Sequence, residues 1–246
     1  MGCQLPPANV VILEAGNKPS SNEGIFEACN MFLQDFNLNN NQYIDIVSDE
    51  AIFRRTIHYL ETHAYTRIIL GQWHTSKDMC SVLITIFSGF GIFNLAAALG
   101  TKFLDKLEAV VDYRSTCRVL EMIWFVVGVA IHIYLKKYNK TIEQIMDENN
   151  NLLKTWFLYF KWAGWWKAHR VGIRMGNFEM QHESLSAFAP LFPIAGKLNY
   201  ASSVTFYLTH LAKHSELKEL LKHACSININ REKHFLHLMK LWKLLV

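Results

Sequence analysis

The sequence predicts an α/β protein: a small parallel sheet of about three strands near the N-terminus, followed by a large helical body. Two observations carry this. Residues 9–79 hold three short β-branched runs, two of them followed by a segment of helical periodicity, and after residue 79 the helical period continues almost to the end. A third supports a packed core: of 246 residues, 51% are hydrophobic, with sixteen Phe and seven Trp. That length and aromatic content exclude a disordered chain, and twelve Gly with five Pro exclude collagen-like and proline-rich classes.

Asn9–Glu14 (NVVILE), ended by Ala15-Gly16, reads as a buried strand. The loop GNKPSSNEG follows, with Ser21 or Asn22 as cap for a helix through IFEACNMFLQDF. Tyr43–Ser48 (YIDIVS) is the second strand, with Asp49 at its C-terminal end. In the next helix, AIFRRTIHYLETH, Ile52, Ile57 and Leu60 share a face. Thr66–Leu70 (TRIIL) is the third strand, ended by Gly71. Helices are then expected near 75–88, 92–112, 114–137, 141–173, 178–190, 197–214 and 215–225. The organisation reads as a parallel βαβαβ core at 8–79, a helical body of the same domain at 80–229, and a divergent tail at 230–246.

Met79–Thr101 is 23 residues without a formal charge, about 34 Å as a helix and enough to span a bilayer. Ser88-Gly89, Gly91 and Asn94 interrupt it, however, and mean hydropathy over the chain is only +0.08. A hairpin of two buried helices, broken at SGFG, is the better reading. A second apolar run, Met122–Leu135, has 14 residues and contains His132.

Charge is uneven. Residues 1–50 carry net −6, residues 51–196 net +5 and residues 197–246 net +5. An uneven spread of a modest total explains this, and so would an acidic site facing a polyanion-binding surface. The five cysteines are scattered singly and read as reduced, mostly buried thiols of an intracellular protein. The first residues carry no secretory-signal pattern.

Parallel strands place their C-terminal ends along one edge, where open α/β sheets bind ligands. Glu14, Asp49 and Gln72-Trp73-His74 fall there, and two carboxylates with an imidazole make a plausible divalent-metal constellation. Each has a plainer role available: Asp49 as a helix cap, Glu14 as a loop cap, His74 as a satisfied helix start. Asp45 shares the strand face of Asp49 but lies about 13 Å away along it, too far to join one metal pair.

Trp156–Arg174 carries four Trp, with Lys167, Arg170 and Arg174 at i, i+3 and i+7 on one helical face. Basic residues beside aromatics suit phosphate contact and base stacking, although an amphipathic helix with a solvated basic face explains the pattern equally simply. Glu179 and Glu183, beside His182, could supply another carboxylate or a solvated face. The pairs His210/His214 and His234/His237 have metal-compatible spacing but no accompanying Cys or HExxH context. There is no Walker A loop, GxGxxG or GxSxG, so no nucleotide or other small-molecule cofactor is expected.

Three stretches carry a resemblance. Ser48-Asp49-Glu50-Ala51-Ile52-Phe53-Arg54 resembles a "GDQLTxxR" strand end. Gly71-Gln72-Trp73-His74 with Met79 resembles an "FHxxM" motif, and Leu191–Ala201 resembles "LFAATGHxNYA", with the Asn199-Tyr200 pair in place. Together, over about residues 8–229, they resemble an uncharacterised domain family of transposon origin, expanded in some fungi, with a ribonuclease-H-like transposase core. Such a core implies three carboxylates around two Mg²⁺ or Mn²⁺ ions that cleave or transfer phosphodiesters. Carried onto this chain, Asp49 matches the motif aspartate and His74 the motif histidine. No quoted motif contains the other carboxylates, for which Glu14 is the candidate second metal ligand and Glu179 the candidate further catalytic acid. The implied partner is DNA, met by Lys167, Arg170 and Arg174, and DNA implies the nucleus. The departures are Ser48 for Gly, Glu50 for Gln and Ala51-Ile52 for Leu-Thr. The chain also starts almost on its first strand and loses the resemblance at the tail, which points to a fragment or a decayed copy without robust catalysis. The competing expectations are a non-catalytic nucleic-acid or protein interaction module and a membrane protein anchored by residues 79–101.

Overall fold

A computed structural model describes residues 21–38, 42–102, 104–228 and 235–237. The elements run α1 (Asn22–Asp35), β1 (Ile44–Ser48), α2 (Glu50–Leu60), β2 (Thr66–Leu70), α3 (Gln72–Phe87), α4 (Ile92–Ala98), α5 (Leu104–Glu108), α6 (Tyr113–Tyr138) and α7 (Asn151–Met175). They continue with α8 (Phe178–Phe188), α9 (Leu191–Ile194), α10 (Leu198–Lys213), α11 (Ser215–Ala224), β3 (Ser226–Asn228) and β4 (Phe235–His237). The protein is mostly helical with a small parallel sheet, as the sequence implied, though the described part of that sheet has two strands. The strand expected at Asn9–Glu14, and Glu14 with it, lies outside the described residues.

The chain divides into two compact units. One comprises the described residues up to Thr75, Ile173–Glu179 and the described residues from Leu198 onward; the other comprises Ser76–Gly172 and Met180–Lys197.

In the first unit, β1 and β2 pair in parallel from Ile44↔Thr66 to Ser48↔Leu70. TRIIL is buried along its whole length, as expected of a strand covered on both faces. Helix α2 reaches back over the sheet, and α1 packs on α2 through Ile25, Cys29 and Tyr59, with Phe26, Ile46 and Ile52 at the margin. The Tyr59 hydroxyl donates to Asn30 Oδ1 at 2.6 Å, so its burial strands no polar atom. Phe53 of α2 meets Phe206 and Tyr207 of α10 edge-on, at 6.0 and 6.4 Å. β3 and β4 form a small antiparallel pair that the helical reading of the C-terminal region did not anticipate.

The second unit is helical. The uncharged run 79–101 is no straight span. Helix α3 ends at Phe87, a 3-10 turn covers Ser88–Phe90, and Gly91 adopts φ 95°, a conformation natural to glycine. The helices on either side are bent by 97°. The break at SGFG is therefore confirmed, but the expected helix 92–112 is not one element. It stops at Ala98, where Gly100 turns left-handed with φ 86°, and resumes briefly at α5.

Helices α6 and α7 form an antiparallel pair. Tyr159 and Trp166 of α7 are wholly buried, the Tyr159 hydroxyl donates to Leu120 O at 3.0 Å, and Trp124 Nε1 donates to Phe160 O at 2.9 Å. Trp124 also stacks on Phe160, 5.3 Å between centroids. Gly128 permits this approach: a Cβ there would meet the Phe160 ring at 2.6 Å.

Helix α6 buries Cys117, Leu120, Ile123, Val127 and Ile131 on one face and exposes Met122, Phe125 (65%), Val126, Val129 and Ile133 (59%) on the other. Among the described residues it is the one helix long and apolar enough to cross a membrane, with mean hydropathy 1.7 over its best 18 residues.

Candidate functional site

The parallel register fixes the edge where the motifs end. Ser48 pairs with Leu70, and Gly71 N–H donates to Ser48 O at 2.7 Å, so Asp49 and Gly71-Gln72 leave the sheet side by side. Asp49 takes extended backbone and its Oδ1 accepts the Ile52 N–H at 3.0 Å: it is the N-cap of α2. The plain role foreseen for it is occupied.

Glu50, in the first turn of α2, is buried. Its Oε1 accepts from Ser203 Oγ at 3.0 Å and from Arg54 Nε at 3.2 Å. Ser203 lies one turn beyond Asn199 on α10, so the late Asn199-Tyr200 stretch starts the helix that hydrogen-bonds to the strand-end motif. That contact joins residues 153 apart in sequence.

On the neighbouring strand, Gln72 is buried and donates through Nε2 to Leu70 O at 2.8 Å. Trp73 and His74 are half-buried, their rings in a T-shaped contact at 4.6 Å. Ser48 is buried, and its Oγ has no hydrogen-bond partner among the described residues.

Glu179 opens α8 within the same unit, but its carboxylate is 57% exposed and faces Lys222 of α11 at 3.8 Å. Glu183 is exposed, as a solvated helix face requires. Asp45, set aside on distance, is engaged elsewhere: Arg67 Nε and Nη2 donate to its two oxygens at 2.6 and 2.9 Å, and Arg67 also lies over the Tyr43 ring at 4.5 Å. His210 and His214 do come together, 4.3 Å between ring centroids. Burial, then His214 and Arg67, push His210 down to about 4, against the opposing pull of Asp45. Among the described residues no group of three or more His, Cys, Asp or Glu is placed to hold a metal ion. Asp49, His74 and Glu179 thus form no such group, and His234 lies outside the described residues.

The basic set on α7 is used unevenly. Arg170 is largely buried, its Nη1 donating to Glu121 Oε1 at 2.6 Å while the guanidinium lies 5.0 Å from the Trp166 ring. Lys167 sits over Trp124 at 4.7 Å, and Arg174 is exposed. The i, i+3, i+7 spacing is real, but one of its three cations is committed to the core.

Two clusters escaped the sequence reading. One is the Asp45–Arg67 pair with His210. The other gathers Ser76 and Cys80 of α3, Tyr113, Cys117 and Glu121 of α6, and Arg170 of α7. Its one-dimensional trace is the i, i+4 spacing of Ser76/Cys80 and of Tyr113/Cys117/Glu121. In comparisons with known proteins, no protein-family model, no curated protein and no solved structure matches this chain.

Proposed function

We propose that this is a transposon-derived nucleic-acid-binding protein, built on a ribonuclease-H-like core and without robust catalysis. The observation that carries the reading is the meeting, in the first unit, of Ser48–Arg54, Gly71–His74 and the Leu198–Ala201 end of the third motif stretch. Asp49-Glu50 and Gly71-Gln72 leave adjacent parallel strands, and α10, which begins with Asn199-Tyr200, hydrogen-bonds to Glu50. Motifs scattered over 150 residues and gathered at one sheet edge are what a site, or the remains of one, requires.

The family resemblance implies Mg²⁺ or Mn²⁺. The described residues do not fit that group: Asp49 caps a helix, the Glu50 carboxylate is shared by Ser203 and Arg54, and Glu179 faces Lys222. Lys167 and Arg174 would meet phosphate, with Arg170 holding α7 in place.

Fluorescence anisotropy with a short DNA duplex over a salt series tests this. Each phosphate contact contributes a slope of about −0.9 in log K against log salt. Lys167→Gln with Arg174→Gln should weaken binding and flatten the slope by about 2, whereas Asp49→Asn should leave it unchanged. Absence of salt-dependent binding overturns the reading.

The exposed face of α6 favours a second reading, the protein interaction module. Met122, Phe125, Val126, Val129 and Ile133 form a stripe, flanked by Arg114 and Arg118 at one end and Lys136 and Lys137 at the other. A second copy laid on it would bring cations together at both ends in either orientation. The occupant that fits is a partner's apolar helix with acidic ends. A leucine-seamed peptide with glutamates at both ends should bind, and Phe125→Asp should abolish binding. Concentration-dependent dimers, or flotation with phospholipid vesicles in place of peptide binding, would defeat this reading.

A further inference from the structure

The pair His210 and His214 has chemistry independent of the nucleic-acid reading. Both lie in the first unit, His210 in the last turn of α10 and His214 at the N-cap of α11. The His214 N–H donates to His210 O at 3.0 Å, so one hydrogen-bonded backbone turn fixes their separation. Their ring centroids are 4.3 Å apart with 49° between the planes, and both residues are half-buried. His210 Nε2 is closed to solvent and has no hydrogen-bond partner among the described residues. The His214 side chain makes no capping bond to α11. A buried polar nitrogen without a partner is costly, and this one belongs to a ring that adjoins a second imidazole.

We propose that His210 and His214 chelate a borderline divalent cation of the Ni²⁺ and Cu²⁺ class, which ties the last turn of α10 to the N-cap of α11. Donor type and geometry select that class. Imidazole nitrogen suits Ni²⁺, Cu²⁺ and Zn²⁺, whereas Mg²⁺ and Mn²⁺ take oxygen. A metal about 2.0–2.1 Å from a ring nitrogen lies roughly 3.2 Å from that ring's centroid. Two imidazoles at a right angle about one ion then have centroids about 4.5 Å apart, and at the tetrahedral angle about 5.2 Å. The observed 4.3 Å fits the right angle, which tetragonal Ni²⁺ and Cu²⁺ sites use and tetrahedral Zn²⁺ sites do not.

A ligand must also be free of its proton. Burial, then His214 and Arg67, with Lys213 adding to them, push His210 down to about 4 against the pull of Asp45. Its ring is therefore neutral throughout the range in which an ordinary histidine takes up a proton. The Arg67 charge is answered by Asp45, which accepts from it at 2.6 and 2.9 Å, so an arriving cation meets a paired guanidinium. Two protein donors leave the remaining coordination positions to water, the arrangement of an exchangeable ion rather than of a closed structural site.

Isothermal titration of the full chain with Ni²⁺ at neutral pH tests this, Ni²⁺ being the probe because Cu²⁺ would oxidise the cysteines. His210→Gln and His214→Gln should each raise Kd by about tenfold or more, the loss of one arm of a chelate. The His214 ring caps nothing, so His214→Gln should keep the circular dichroism of the unsubstituted protein, and its loss of binding then reports the missing ligand rather than unfolding. Zn²⁺ should bind more weakly than Ni²⁺, and Mn²⁺ should not compete. Bound Ni²⁺ should slow amide exchange from Leu211 to Lys218, where the two helices meet. No Ni²⁺ binding at millimolar concentration, a Kd that either substitution leaves unchanged, tighter binding of Zn²⁺, or unaltered exchange across that junction would overturn the proposal.

Discussion

In the first unit, Asp49 caps the helix that follows it and Gln72 satisfies a carbonyl two residues away. In the second, Ser76, Tyr113, Cys80, Cys117, Arg170 and Glu121 find their partners on other helices, 37 to 49 residues off in the two contacts with measured separations. Polar residues at strand ends are answered locally because a helix start leaves N–H groups unsatisfied beside them. Polar residues facing inward from long helices have no free backbone to meet and must be matched by one another. Motif residues are therefore the more easily found in sequence, and the inward set carries the more perturbed chemistry.

The first unit has exceptions, the Glu50–Ser203 contact among them, and the Asp45–Arg67 pair is its cross-strand ionic match, with the Arg67 side chain 10% exposed. It gives the largest expected effect. Removing one partner of a buried pair strands the other charge and typically costs about 3–5 kcal/mol. Asp45→Ala should lower stability in urea by that order, and Asp45→Leu with Arg67→Met should recover most of it. If Asp45→Ala costs no more than a surface substitution, the strand pair carries no buried electrostatic match and the contrast between the units sharpens, with Glu50–Ser203 left as the cross-element contact of the first.

Acid tests the histidines of both units. His169, in the second, is fully buried, and burial pushes it down to about 3 from an ordinary 6.5. Between those values the unfolded chain binds a proton that the folded one refuses, so stability falls as pH falls below 6.5, by about 1.4 kcal/mol per pH unit for such a group. At pH 4.5 the loss should be roughly 3 kcal/mol. His210, pushed down to about 4, adds in the same direction over the narrower window from 6.5 to 4. His169→Gln should flatten the acid limb of a stability profile more than His210→Gln does, and the reverse order would reassign the acid sensitivity to the first unit.

The α6–α7 packing offers a third test. Phe160 is held by its stack on Trp124, so a methyl group at Gly128, 2.6 Å from that ring, has little room. Overpacking of this kind costs about 1–3 kcal/mol, against about 1 kcal/mol gained in helix propensity. Gly128→Ala should destabilise by roughly 1 kcal/mol. Gly164→Ala, whose new Cβ would meet Trp124 Nε1 at an ordinary 3.5 Å, should be neutral or stabilising.

These residues also show which features can be read in one dimension. TRIIL announced β2, Ser21 and Asp49 announced their caps, and SGFG announced the break before α4, because each signal is local. Helix α6 was expected at 114–137 and runs Tyr113–Tyr138, but its apolar length was underestimated at 14 residues because Arg118 and Glu121 interrupt the uncharged run without interrupting the helix. The expected helix 92–112 failed at Gly100, whose positive φ outweighs the flanking apolar run. The Asp45–Arg67 match depends on strand register and the Arg170–Glu121 pair on helix packing, and no spacing rule encodes either. At the strand edge, Asp49 was found while its role stayed open, because an aspartate before a helix suits a metal and a cap equally.

Asp49 is where the smallest effect decides most. An N-cap replaced by alanine typically costs about 1 kcal/mol, and asparagine caps almost as well as aspartate. Asp49→Ala should therefore lower the melting temperature by a few degrees, and Asp49→Asn should scarcely change it. Millimolar Mn²⁺ discriminates further, since a metal bound only to the folded state raises stability by RT ln(1 + [L]/Kd), about 2.7 kcal/mol at one hundred times Kd. As a cap, Asp49 gives the same melt with and without Mn²⁺, in the unsubstituted protein and in Asp49→Asn alike. A stabilisation by Mn²⁺ that Asp49→Asn abolishes would show that this carboxylate, already engaged by the Ile52 N–H, also serves a metal. The strand edge would then hold cross-element chemistry of the kind that the helices of the second unit show.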